Sequence, residues 1–162
     1  MNLLKSIGIG VLLVVLQISI LNLLAIRGIK PDIVLIFLII HALAGGPLVG
    51  VIWGFLLGLI LDSAGSGMIG VGSLTYALAG FIVGQMGAGK LGFSLQRYLI
   101  SLFVASLIGN VIFLYFYQPW ENGSFWELLF FKALPVVFYT WTLGLIWILT
   151  PFAAKTSDRS AV

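Results

Sequence analysis

The sequence predicts an all-α, polytopic integral membrane protein of six transmembrane helices, the second and third of them short. Three observations predict it. Of 162 residues, 61% are hydrophobic and only 8% charged, and the mean hydropathy is +1.20. No soluble domain of this length hides so much apolar surface, so the solvent is lipid. The apolar residues fall into segments divided by short polar or Gly/Pro punctuation. Glycines recur at every fourth position, Gly46, Gly50, Gly54 and Gly58, and the series closes at the same step on an acid, Asp62.

The first helix spans about Ser6 to Ile26. Lys5 ahead of an apolar run resembles a signal peptide. The run is long enough to cross a membrane, no small-x-small cleavage site follows it cleanly, and further spans come after, so it reads as a retained helix. A turn follows at Arg27-Gly28-Ile29-Lys30-Pro31-Asp32. The second segment, Ile33 to Ala44, covers roughly 18 Å at about 1.5 Å per residue, short of the roughly 30 Å hydrocarbon core. Gly45-Gly46-Pro47 breaks it. The third, Pro47 to Leu61, covers roughly 22 Å, and a Gly/Ser turn from Asp62 to Gly67 ends it.

The fourth helix is about Met68 to Met86, followed by a polar loop with Lys90 and Arg97. The fifth is about Tyr98 to Tyr117. A connector, Gln118 to Gly123, carries Trp120. The sixth is about Phe125 to Thr150, with a kink expected at Pro135. Residues 1–155 form one transmembrane domain, and 156–162 a short cytoplasmic tail beginning after Lys155.

Basic residues set the topology. With six spans and the N-terminus inside, the inner side holds Lys5, Lys90, Arg97, Lys155 and Arg159, and the outer side Arg27, Lys30 and Lys132. Five against three places both termini in the cytoplasm. Two short spans and a re-entrant hairpin both return the chain to the side it left. One long helix through Gly45-Gly46-Pro47 would flip the remainder, and the break argues against it.

The glycine series is a bare strip of backbone that lets another helix approach closely. The expected partner is the fourth helix, where Gly80 and Gly84 are also four apart; the fifth offers Ser101, Ala105 and Gly109 at the same spacing. Asp32, beside Pro31, can cap the second helix. Asp62 lies at a helix C-terminus, where a negative charge is disfavoured; it can cap the next turn or pair with Arg27 or Lys30. Structural capping or pairing outweighs ligand contact for both acids. His41, the only histidine, has no ionisable chain around it and reads as a hydrogen-bonded packing residue. Gln17, Asn22 and Asn110 read as interhelical hydrogen-bonding groups. The aromatic group running from Phe113 through Trp120 to Phe131 reads as an interface belt, compatible with a docking surface.

Gly84 to Lys90 matches the first seven positions of a phosphate-binding loop. The eighth is Leu91, so the Mg²⁺-binding hydroxyl is absent, and the segment leaves a membrane helix rather than a strand. The absence of cysteine excludes disulfides and thiolate metal sites. One histidine and five scattered acids assemble no catalytic group. The chain is read as a non-enzyme with no catalytic residue, cofactor, metal or nucleic-acid partner.

Three stretches together resemble the MreD family of bacterial rod-shape-determining proteins: Lys30-Pro31-Asp32 before an apolar run, Gly54-Phe55-Leu56-Leu57-Gly58-Leu59-Ile60-Leu61-Asp62, and the glycine-rich stretch from Gly70 to Gly84. The motif residues are Pro31, Asp32, Gly50, Gly54, Gly58, Asp62, Gly80 and Gly84. The resemblance implies a non-catalytic scaffold subunit of the inner-membrane cell-elongation complex. Its partner would be MreC, a bitopic protein, and through it MreB filaments, RodA and penicillin-binding protein 2. A homo-oligomer and contacts with membrane lipid are compatible with it. The implied fold is that of the six-helix substrate-binding subunits of energy-coupling-factor transporters. The alternative function is therefore a vitamin-binding transporter subunit. That function needs polar groups converging near the outer loops, and the sequence offers few.

Overall fold

The structure, a computed structural model, describes residues 3–19, 30–64, 68–88, 94–117, 127 and 129–149. The elements are α1 (Leu3–Ser19), α2 (Ile33–Ala64), α3 (Val71–Gly87), α4 (Leu95–Tyr117), a π-helical turn (Leu129–Ala133) and α5 (Leu134–Leu149). All secondary structure among the described residues is helical. Among the described residues, Leu95–Phe116 and Leu129–Ile148 are long and apolar enough to cross a membrane, as is Ile33–Ala64 when taken as one stretch without regard to its break at Gly46; Lys5–Ser19 and Val71–Gly87 are shorter apolar helices.

α2 is folded back on itself. Gly46 has φ 81° and ψ −174°, a region essentially reserved for glycine. The rings of Phe37 and Trp53 lie 5.6 Å apart, and those of His41 and Trp53 5.3 Å. Sixteen residues of straight helix would separate Phe37 from Trp53 by about 24 Å. Residues 33–45 and 47–64 are therefore two antiparallel arms of a hairpin, roughly 20 and 27 Å long. The expected break at Gly45-Gly46-Pro47 is thus where the chain turns.

The first arm is the centre of the molecule. Val34 to Ile39 are six consecutive buried residues, so the arm is covered on every side, and an unbroken apolar run is what such a helix needs. α1 lies over both arms: around Gly10 stand the side chains of Phe37, Trp53 and Leu57. The second arm is two-faced. Its glycines face α3, while Leu48, Ile52, Phe55 and Leu56 are half or more exposed, as suits a lipid-facing surface.

α3 runs antiparallel to the second arm. α4 packs on α3 and α5: Ser101 Oγ donates to Met86 Sδ at 3.6 Å and Trp141 Nε1 to the Leu99 carbonyl at 3.2 Å. The rings of Phe103 and Phe138 meet edge to face at 6.4 Å.

Several boundaries depart from expectation for local reasons. The third segment continues past Leu61 to Ala64, with Ser63 Oγ donating to the Leu59 carbonyl at 2.7 Å inside the helix. The fourth begins at Val71 rather than Met68, because Gly70 has φ 106° and cannot be helical. The fifth begins at Leu95, so Arg97 stands in a helix and not in a loop. In the sixth, a π turn ends at Ala133, two residues before Pro135. The proline ring would clash with the carbonyl four residues back, and a widened turn relieves this. The first helix is described only to Ser19; residues 20–29, 65–67, 89–93, 118–126, 128 and 150–162, among them Asn22, Arg27, Lys90, Trp120, Lys155 and the expected tail, lie outside the described residues.

Candidate functional site

Three glycines of the series, Gly50, Gly54 and Gly58, are consumed inside the molecule; Gly46 stands at the turn with nothing within 4 Å of its Cβ position and is not part of the packed strip. A Cβ on Gly50 would overlap the Gly80 carbonyl, and one on Gly80 would overlap the Gly50 carbonyl. One on Gly54 would overlap the Tyr76 carbonyl. One on Gly58 would lie 2.6 Å from Ser73 Cα. Gly84 sits on Pro47, where a Cβ would come within 2.5 Å of the proline nitrogen, and Gly87 sits on Leu43. These partners are backbone atoms, which cannot swing aside. The expected pairing with Gly80 and Gly84 is the one found. On α4, Gly109 is looser: its Cβ would rest 3.5 Å from Thr75 Cγ2. Of the phosphate-loop match, Gly84 is a packing position against the hairpin, and Gly89 and Lys90 lie outside the described residues.

At one end of this ladder stands Asp62. The first N–H groups of a helix lack partners, and α3 has no capping side chain of its own, its N-cap being Gly70. Asp62 caps it from the neighbouring helix. Its Oδ2 accepts from Gly70 N at 2.8 Å, Ser73 N at 3.0 Å and Ser73 Oγ at 3.1 Å, and its Oδ1 accepts from Gly72 N at 3.0 Å. The unfavourable charge at the end of α2 is offset by the favourable N-terminus of α3. A Cβ on Gly72 would overlap Oδ1, so Gly70-Val71-Gly72-Ser73 is the seat that this carboxylate requires. Of the two structural roles expected for Asp62, this is the capping one.

Asp32 does the corresponding work for α2. Its Oδ1 accepts from Leu35 N at 2.9 Å, an N-cap bond to the third helical residue. Its Oδ2 accepts from the Tyr76 hydroxyl at 2.5 Å. Its own N–H donates to Thr140 Oγ1 at 3.2 Å. Gln17 bridges from α1: Ile33 N donates to its Oε1 at 3.0 Å and its Nε2 donates to the Pro31 carbonyl at 3.3 Å. Pro31 is fully buried beneath this network. Four helices, α1, α2, α3 and α5, are therefore tied at one point. Tyr76 joins the two features, its carbonyl resting on Gly54 and its hydroxyl on Asp32.

Sequence reasoning missed Tyr76, Ser73 and Thr140. Ser73 had a signal, a hydroxyl directly after Gly-x-Gly; Thr140 and Tyr76 had none beyond being polar in apolar helices. Gln17 makes the interhelical bonds expected of it. Asn110 does not: its Nδ2 donates to the Ser106 carbonyl of its own helix at 2.8 Å. His41 packs against Phe37 with ring centroids 4.1 Å apart and bonds the Phe37 carbonyl through Nδ1 at 3.0 Å. Of the aromatic group, Tyr115, Phe116, Phe130 and Phe131 are exposed, Phe131 most of all at 80%.

The fold and this site define a class: an all-helical membrane protein whose glycines and carboxylates hold helices in place. The chain belongs to the MreD family, since the family model for the rod shape-determining protein MreD matches residues 3–149. No curated protein and no solved structure gives a match. The family is a structural, shape-determining one, and that is the class of role this chain carries.

Proposed function

We propose that this chain is a non-catalytic scaffold subunit of the bacterial cell-elongation complex, seated in the inner membrane and binding an MreC-like bitopic protein. Through that protein it would support peptidoglycan synthesis by RodA and penicillin-binding protein 2 along MreB filaments. The observation that carries this reading is the family match over residues 3–149. The internal use of the glycine face agrees with it: a ladder of backbone contacts makes a rigid body, and partners then meet the outward side chains of that body.

The six helical segments, counting the hairpin arms separately, support six crossings or four crossings with a re-entrant hairpin. Either arrangement puts both termini on one side, the cytoplasmic side by the count of basic residues. The short second and third segments support a fold like that of the energy-coupling-factor binding subunits. The transporter-subunit function has one observation in its favour, since polar groups do converge near the Asp32 end; the family match favours the scaffold.

The test is co-purification. The tagged chain, solubilised from membranes of a rod-shaped bacterium, is expected to carry an MreC-like protein with it. Recovery of folded, monodisperse chain without such a protein, from cells that contain one, contradicts the proposal.

A further inference from the structure

Between the two carboxylate caps lies a cavity of about 730 Å³, within the size range of small-molecule sites. Its walls come from α1, α2, α3, α4 and α5. The apolar part is Leu35, Leu61, Phe113 and Val136, and the polar part includes Asp32, Tyr76, Ser106 and Asn110. Ser106 is 2% exposed, and its hydroxyl finds no hydrogen-bond partner among the described residues. A buried hydroxyl without a partner costs about 1–3 kcal/mol, so this group calls for a ligand atom.

The walls carry donors, among them Lys30 and Gln17, as well as acceptors, and the charged acceptor with capacity left is Asp32. Asp62 already accepts four hydrogen bonds, which fills a carboxylate. Among the described residues Asp32 accepts three hydrogen bonds, from Leu35 N and Gln17 Nε2 at Oδ1 and from Tyr76 at Oδ2, one fewer than the roughly four a carboxylate takes. The Tyr76 oxygen has donated its proton and can still accept. Asn110 uses one N–H toward the Ser106 carbonyl, which leaves its second N–H to donate and its own oxygen to accept. Two carboxylates against one ammonium, that of Lys30, line the space.

We propose that this cavity binds an ammonium group carried on an apolar body, the ammonium donating to Asp32 and Ser106 and the body lying against Leu35, Leu61 and Phe113. A membrane lipid with an ethanolamine headgroup and a free alkylamine share this chemistry. The proposal stands apart from partner binding and fails or succeeds separately from it.

The cysteine-free chain allows a direct test. A single Asn110→Cys thiol is placed in the cavity wall and its rate of reaction with a maleimide is measured. Where that variant does not fold, Gly109→Cys, whose Cβ meets only Thr75, serves instead. In phosphatidylglycerol nanodiscs, octylamine at ten times its dissociation constant is expected to slow labelling about tenfold, as mass action requires. Octanol is expected to have little effect. Asp32→Asn keeps a competent helix cap and is expected to abolish octylamine protection, read as the ratio of liganded to unliganded rates within that variant. Slowed labelling in phosphatidylethanolamine discs assigns the site to a lipid headgroup, and protection by octylamine alone assigns it to a free amine. Equal protection by octanol and octylamine overturns the proposal, as does protection by neither. A folded protein whose thiol never reacts also overturns it.

Discussion

At Asp62 four donors converge on a carboxylate that sits in the last turn of its own helix, where its charge is unwelcome. The residue makes sense only with α3 beside it. Asparagine there keeps one acceptor oxygen and turns an amide N–H₂ toward backbone N–H groups. Asp62→Asn is expected to lower stability by about 1–3 kcal/mol, the cost of leaving buried donors unpaired, read as a lower midpoint in thermal unfolding of the purified protein. Asp32→Asn is expected to cost less at the cap itself, since asparagine caps helices as well as aspartate. Tyr76→Phe removes a hydrogen bond to a charged group and is expected to cost about 1.5–3 kcal/mol in the same measurement.

At the scale of the elements, two kinds of glycine do different work. Gly46 has open space around its Cβ position, so its role is conformational. Gly46→Ala is expected to cost about 1–3 kcal/mol through backbone strain alone. Gly54 is helical, and its role is spatial. Gly54→Ala drives a methyl into the Tyr76 carbonyl of a neighbouring backbone, so the expected cost is at least about 3 kcal/mol, the upper range for overpacking. Gly109→Ala is the control: only Thr75 Cγ2 stands near, and the gain in helix propensity makes it neutral or stabilising by up to about 1 kcal/mol. Equal losses for Gly54→Ala and Gly109→Ala, in the same unfolding assay, would show that the ladder does not set the packing.

On the scale of the whole molecule, the six segments and the turn at Gly45-Gly46-Pro47 were legible because hydropathy and helix breakers act locally. The pairing of Gly50 and Gly80 was legible because only small residues in matching register allow backbones to touch. Other features depended on neighbours distant in sequence. That the first arm is the centre of the fold follows from what covers it, which a short apolar run does not reveal. The seat for Asp62 reaches to Ser73, eleven residues on and in the next helix, so the acid could be judged only as one of several structural possibilities. The π turn before Pro135 and the convergence of Asn110 and Ser106 on the Asp32 end were invisible for the same reason.

The hairpin is what brings the two acids to one end and sets the glycines against α3, so its geometry is the central claim. Spin labels on Lys30→Cys and Ser63→Cys, both at exposed positions, measure it directly by pulsed electron resonance in nanodiscs. The folded hairpin predicts a separation under about 25 Å, two helix diameters. A separation of about 50 Å, the length of an unbroken helix between these residues, would contradict the account.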